Sequence, residues 1–491
     1  MVDYHIKCGV PATVDIIIYS DSPVTSDIVI PVNTKFTSND NKPWVSAKEV
    51  VLLSGTQSVK VALIQKESIP TKVSLGRITS QDVSLYLGTL PSDRKYVEGS
   101  MVLTIGGEPW KLVDTFAYSG PNDMVYKVEP DSQLKPRIIF GDGQFGKKPN
   151  LNSYVEVTYE LTYGSQGNVP SGSFTTVPSP ISEKSDELKI SSPSSANGGS
   201  DYEDFDMVKA HLPLSVKSLG VAITKDDYEA ITMLVPGVNK AYVNYRCGRY
   251  VEVYITPDNP STDSSDTGWG QASTALIDKV TQVLNKSKVI TTNIVVGSTH
   301  AAKIYLEADI TGKKSFTSTE ISSQVKKVLL EAYNYNTSDI NKPVRLSDLY
   351  SLIDNVPLVD YLQIKNLSLL AYPIPKSANQ AELVITSFKQ TKFFSDEESQ
   401  YEKLELTFIS GTNFTIRGLG KVVTGRLGQN VTVVTSKTTF SITIGSNSIA
   451  YNTGDTYDLY ISRINSDLIP QNYNIPIFSE NSIQLTIHEV V

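Results

Sequence analysis

Gly141, Gly146 and Lys147 stand at the spacing of a phosphate-binding loop, directly after the apolar run Ile138-Ile139-Phe140. Such a loop turns backbone N–H groups and a lysine toward phosphate oxygens, holds magnesium on the next Ser or Thr, and opens a helix whose N-terminal dipole faces the anion. Here Lys148 occupies the hydroxyl position, Pro149 and Asn150 follow, and the next regular pattern is the alternation from Tyr154 to Leu161. The context is strand, glycine turn, strand. Asp142-Gly143 reads as a turn dipeptide in which Gly143 supplies positive φ, while Gly141 and Gly146 let the loop fold tightly. No nucleotide or other cofactor is expected there.

The remaining chemistry-bearing residues are scattered. His5, His211, His300 and His488 fall in four regions with no second histidine at helical spacing, no HExxH and no GxSxG. Asp258, Asp263 and Asp266 cluster within TPDNPSTDSSDTG, but they miss the DxDxDG calcium spacing and lack a terminal bidentate glutamate. That segment reads as a solvated turn, and Glu397-Glu398 as part of a charged linker. Cys8 and Cys247 show no metal-ligand or disulfide pattern. The sequence therefore predicts no catalytic residue and no metal site, and the protein is not expected to be an enzyme. The 26 tyrosines suit half-buried strand positions, and on a β-rich protein they also suit carbohydrate or protein contact.

The chain has 491 residues, 40% of them hydrophobic, enough for several separately cored domains. Its 44 Lys plus Arg against 52 Asp plus Glu give a formal charge of -8, the reverse of a nucleic-acid footprint. No apolar run approaches the roughly 20 residues that span a bilayer, and MVDYHIKCGV lacks the basic-then-apolar order of a signal peptide. The expectation is a soluble protein made in the cytoplasm, with neither nucleic acid nor membrane as partner.

Positioning elements follow from periodicity. Residues 1–90 and 91–177 each read as a β domain, 178–200 as a Ser-rich linker, 201–375 as an α+β domain, 376–400 as a second linker and 401–491 as a C-terminal β domain resembling a sandwich. The fold class is multidomain α+β with β-rich N-terminal domains. In the middle, Thr317 and Glu320 form a capping-box pattern ahead of the stripe Ile321, Val325, Val328, Leu329 and Ala332. Gln271 to Ser287 reads as a second amphipathic helix, and Lys303 to Ile310 alternates as a strand. Asp227, Val235, Pro236, Val238 and Val243 recur as Asp348, Val356, Pro357, Val359 and Ile364. In each copy a helix stops at Val-Pro, because the residue before proline is pushed out of the helical region, and a strand begins. This predicts a duplicated α/β unit.

Taken together, the motifs resemble the baseplate J-like family, wedge proteins of contractile phage tails and related injection systems. The match begins at VPATVDIIIY (10–19) and IVIPVNTKF (28–36) and passes through Glu108 to Val113. Its most specific part is Phe140-Gly141-Asp142-Gly143 with Gly146, followed by YELTYGSQGNVPSG with Gly167 and Asn168. It continues at AITKDDYEAITMLVPGVNKAYV, which carries Asp227, Tyr228, Pro236 and Gly237, and at RLSDLYSLIDNVPLV, which carries Pro357. The departures are mild: Gln65-Lys66 replaces a usual Gln-Gly, and Leu358 replaces the glycine of the second Val-Pro turn. The resemblance implies a structural virion protein of the tail baseplate. It implies six-fold assembly around the hub and tube, contacts with other wedge and sheath-proximal proteins, self-association or pairing with a homologue, and coupling of host contact to sheath contraction. A bacterial injection-system baseplate subunit and a carbohydrate-binding adhesin are the alternatives.

Overall fold

The computed structural model describes residues 8–68, 73–79, 85–87, 90–131, 135–178, 181, 188–203, 208–209, 212–213, 220–246, 250–257, 271–314, 316–335, 337–376, 383–393, 401–418, 421–446, 450–464, 467–468, 470 and 473–488. The chain is β-rich and multidomain, with several separate sheets.

In the N-terminal body, β1 (Thr13–Tyr19) pairs antiparallel with β2 (Ser58–Ile64), and Pro43–Ser46 and Lys35–Thr37 extend the sheet beyond β2. Val14, Ile16 and Ile18 lie buried on one face of β1 with Trp44 and Phe36. A second β body, holding β3 (Pro136–Phe140) and β4 (Tyr154–Thr158) in a seven-stranded sheet, is inserted into the first. Its two edge strands, Val73–Arg77 and Leu85–Tyr86, are near neighbours in sequence, so the sheet curls back on itself. The boundary expected at residue 90 thus falls inside this body, because alternation shows that a segment is a strand and not which sheet it joins.

Two segments read as linkers turn out to carry structure. Within 178–200, β5 (Lys189–Ser191) pairs antiparallel with β1, and Ile181, Leu188 and Ala196 join the N-terminal core. The segment is poor in apolar residues, yet these three pack inward and its backbone supplies an edge strand.

The middle contains the two α/β units. In the first, α1 (Lys225–Met233), β6 (Val238–Arg246), β7 (Tyr250–Pro257), α2 (Thr274–Ser287) and β8 (Asn293–Ser298) give the sheet order β6-β7-β8, antiparallel and then parallel. The second holds β9 (Ala301–Gly312), α3 (Ser318–Ala332), α4 (Leu346–Asp354) and β10 (Val359–Ala371). Here β9 is antiparallel to β10, the counterpart of β6.

Its third strand comes from much further along the chain. Within 376–400, β11 (Ile385–Phe393) pairs with β13 (Thr438–Ile444), and with β12 (Tyr401–Phe408) and β14 (Thr456–Ser462) in the opposing layer it forms a sandwich around Phe408, Phe414, Phe440 and Tyr457. The chain then leaves the sandwich, and β15 (Ile475–Ile477) and β16 (Ile483–His488) run parallel to β9. The order β10-β9-β16 reproduces β6-β7-β8 with permuted connectivity. Residues 401–491 are therefore not one separate domain: Leu468, Phe478 and Ile483 lie in the core of the second α/β unit.

Candidate functional site

The motif residues form a series of tight backbone joints. At the end of β3, Phe140 packs edge-on against Trp110 with ring centroids 5.4 Å apart. A Cβ on Gly141 would lie 2.4 Å from the carbonyl carbon and oxygen of Gly146, so only glycine fits the crossing. The Asp142 carboxylate accepts from Phe145 N (2.7 Å) and Gln144 N (2.8 Å), and these bonds hold its carboxyl below the usual range. Gly143, at φ +88°, donates to the Gly146 carbonyl (2.9 Å), Gly146 N to Gly120 O (3.1 Å) and Lys147 N to Asp123 O (2.8 Å). The amides that a phosphate loop turns toward its ligand are thus occupied within the protein, and the chain proceeds to β4 rather than to a helix. The loop pins β3 to the neighbouring 116–123 turn.

A second joint surrounds Gly167 and Asn168. Asn168 Nδ2 donates to Gly199 O (2.8 Å) and Gly199 N donates back to Asn168 Oδ1 (2.9 Å), a side chain imitating a strand partner. Gly167 leaves 3.1 Å between a would-be Cβ and that of Ala12. Beneath them lies fully buried Gln65, whose Oε1 accepts from Thr162 Oγ1 (2.7 Å) and Tyr163 N (2.8 Å). Its central role is not visible in the sequence beyond the Gln-Lys departure. Burial of a polar side chain is tolerable when such bonds are made.

The third joint welds the N-terminal body to the first α/β unit. Thr224 and Asp227 form a capping box on α1, with the Asp227 carboxylate accepting from Thr224 N at 2.8 Å. Tyr228 is buried edge-on to Tyr245. After Pro236, Gly237 sits at φ +100°, and its would-be Cβ lies 2.9 Å from the Cα of Gly198, whose own φ is +79°. Val238 N bonds Val235 O (3.1 Å), and in the second copy Val359 N bonds Val356 O (3.0 Å) around Pro357. Nearby, the buried carboxylate of Asp15 accepts from Thr274 N and Thr274 Oγ1, both at 2.9 Å, at the start of α2, and pairs with Lys60 at 3.0 Å.

Between these bodies lies a cavity of about 300 Å³, lined by Asp15, Lys60, Asn197, Gln271, His300 and Tyr372 among others. His300 stacks on Tyr372 at 4.3 Å, and Gln271 Nε2 donates to the tyrosine hydroxyl at 2.5 Å. Burial, helped by Lys60, pushes His300 from 6.5 down to about 4. The unfolded chain therefore binds this proton first, and acid opposes folding. As pH falls from about 6.5 to about 4, the protein should lose stability on the order of 1 kcal/mol per pH unit through this group, with the loss complete below its native value. Urea-unfolding midpoints at pH 7 and pH 5 test this: His300→Phe keeps the stack and should flatten the pH difference, and an unchanged difference would refute the assignment.

Other sequence candidates do not converge. His488 is exposed near Asp309 (3.7 Å), far along the chain from His300. Among the described residues no group of three or more His, Cys, Asp or Glu could hold a metal ion, and no helix is long and apolar enough to cross a membrane. Cys8 is buried, with its thiol pushed up to about 12 by burial. His5, His211, Cys247, Asp258, Asp263, Asp266, Glu397 and Glu398 lie outside the described residues.

No protein-family model matches the chain, and no curated protein sequence matches it. Among solved structures, the cryo-EM structure of the anti-feeding prophage (AFP) baseplate, 6-fold symmetrised, contains a similar chain. The two are 12% identical, the likeness covers 74% of this chain and 73% of that one, and the TM-score is 0.25, too loose to fix a fold.

Proposed function

We propose that this protein is a structural subunit of the baseplate of a contractile tail or contractile injection system, with assembly and not catalysis as its role. The observation that carries the reading is where the motif residues act. Gly141, Asp142, Gly143 and Gly146 pin a strand to its neighbouring turn, Gly167 and Asn168 fasten a strand loop, and Gly237 meets Gly198 where two bodies join. Each has a backbone task that a rigid, multi-body subunit requires. In finer detail, the chain is a wedge subunit that joins a six-fold ring around hub and tube. It contacts other wedge and sheath-proximal proteins, pairs with a second copy or a homologue, and relays host contact to the sheath.

The test is cryo-EM of intact particles purified from the native host, with this chain tagged at an exposed loop. Six copies below the sheath are expected. Density in a capsid, or measurable turnover by the purified protein, would sink the proposal. Genes adjacent to its own distinguish a phage from an injection system.

A further inference from the structure

The sheet of the first α/β unit ends at β8, which runs parallel to β7 with Val251 opposite Ile294 and Val253 opposite Val296. Just beyond the strand, Thr299 N donates to Ile255 O at 2.9 Å, so the backbone of Thr299 faces β7. Every second residue of a parallel strand turns its N–H and C=O to the same side, which directs Asn293, Val295 and Gly297 toward β7 and Ile294 and Val296 outward. No described residue pairs with those outward groups. The opposite edge of the sheet is guarded: Val243 N of β6 donates to the Glu229 carboxylate at 3.2 Å.

An open edge is a template for another strand, and natural proteins blunt it with Lys, Pro or a bulge. β8 has none of these. From Val289 to Thr299 the chain carries no charged residue and no proline, and the register with β7 is unbroken. On the face away from the helices Val295 is 57% exposed opposite Glu252, whereas β16 in the second unit sets Gln484 opposite Glu307. The Ile294 and Val296 side chains pack against the core, so the edge itself offers backbone donors and acceptors in alternation. An extended chain is the partner that supplies the matching series.

We propose that β8 pairs with β8 of a second copy, antiparallel, about a two-fold axis through Val295. In that register Ile294 of one copy and Val296 of the other form a hydrogen-bonded pair, and symmetry repeats it on the far side of the axis. Val295 lies opposite its own counterpart in the closer, non-hydrogen-bonded position, and Asn293 lies opposite Gly297. The edge is complementary to itself and brings no like charges together, as a two-fold interface requires. Ala272 N donates to Ser298 Oγ at 2.7 Å, so the 271–272 segment ends the ladder there. So short a ladder suits subunits held near one another in an assembly, where effective concentration is high. The inference deepens the pairing proposed above and rests on that reading for its second copy; a ring whose subunits touch elsewhere would overturn the edge and leave the ring.

Oxidative cross-linking of the purified full chain, in a Cys247→Ser background with Cys8 buried, tests it by trapping even brief pairing. Val295→Cys sets two thiols opposite each other with Cβ atoms about 4.5–5.5 Å apart, near the span of a disulfide. It should give covalent dimer about tenfold faster than Tyr118→Cys, a 95% exposed control on the inserted β body. Ile294→Pro removes an outward N–H and keeps the bonds to β7, so adding it to Val295→Cys should return the rate to that of the control. Equal rates for Val295→Cys and Tyr118→Cys overturn the pairing whatever the proline variant does, and an undiminished rate with Ile294→Pro overturns it too. In native particles, Val295→Cys cross-linked to a different protein instead of to itself would show another occupant and overturn the second copy.

Discussion

Ending the chain after Ser462 should unfold the second α/β unit and leave the N-terminal body and the first unit folded. The truncation removes β15 and β16, which pair with residues 301–303 and 306–311 of β9. It also removes Leu468, Phe478 and Ile483 from the buried core. Loss of a buried Phe side chain alone typically costs about 3–5 kcal/mol, against a whole-domain stability of about 5–15 kcal/mol. The ladder lost with it turns β9 from an interior strand into an open edge, a template for aggregation. Proteolysis with mass spectrometry should show cleavage across 301–371 in the truncated protein, and Phe478→Ala should lower the unfolding midpoint without altering the first unit. A truncated chain with 301–371 still protected would mean that β9, β10 and their helices form a complete core by themselves.

The second large effect comes from exchanging the residues that distinguish the two Val-Pro turns. Gly237 lies at φ +100°, whereas Leu358 is not among the residues at positive φ, although both turns close with the same hydrogen bond. Gly237→Leu forces a side chain into the left-handed region, at about 1–3 kcal/mol, and drives a Cβ toward the Gly198 backbone and Leu276, at about 1–3 kcal/mol more. The reciprocal Leu358→Gly meets neither obstacle and should cost about 1–2 kcal/mol, from chain entropy and partial burial. Chemical denaturation of both variants reads the difference, and limited proteolysis near 198 should detect loosening only in the Gly237 variant. Equal effects would mean that the glycine matters for the turn alone and not for the junction between bodies.

Much of the local structure is legible in the residues. The Thr317 and Glu320 pattern forms both bonds of its capping box, and Ile321, Val325 and Leu329 are fully buried on α3. The repeated Val-Pro turns appear where the spacing places them, because proline acts on its immediate neighbour. What sequence hides is long-range pairing. Nothing in the alternation of Ile483 to His488 says that this strand takes the place in the second unit that Asn293–Ser298 takes in the first. The segments around 178–200 and 376–400 look like linkers because composition reports how many apolar side chains are available. It does not report that a polar backbone can finish a sheet edge, as Lys189–Ser191 does. Gln65 is similarly silent: its role arises from strands that meet only in three dimensions.

The permuted second unit also bears on how the protein is made. The N-terminal body and the first α/β unit contain all their strands by residue 298, so they can fold while the ribosome is still working. Residues 301–371 cannot close their sheet until 475–488 have emerged, more than a whole sandwich later. During that interval β9 has an unpaired side and depends on the nascent chain staying out of contact with others. A transcript broken anywhere before β16 would therefore give a chain in which β9 has no parallel partner at 306–311 to close its sheet.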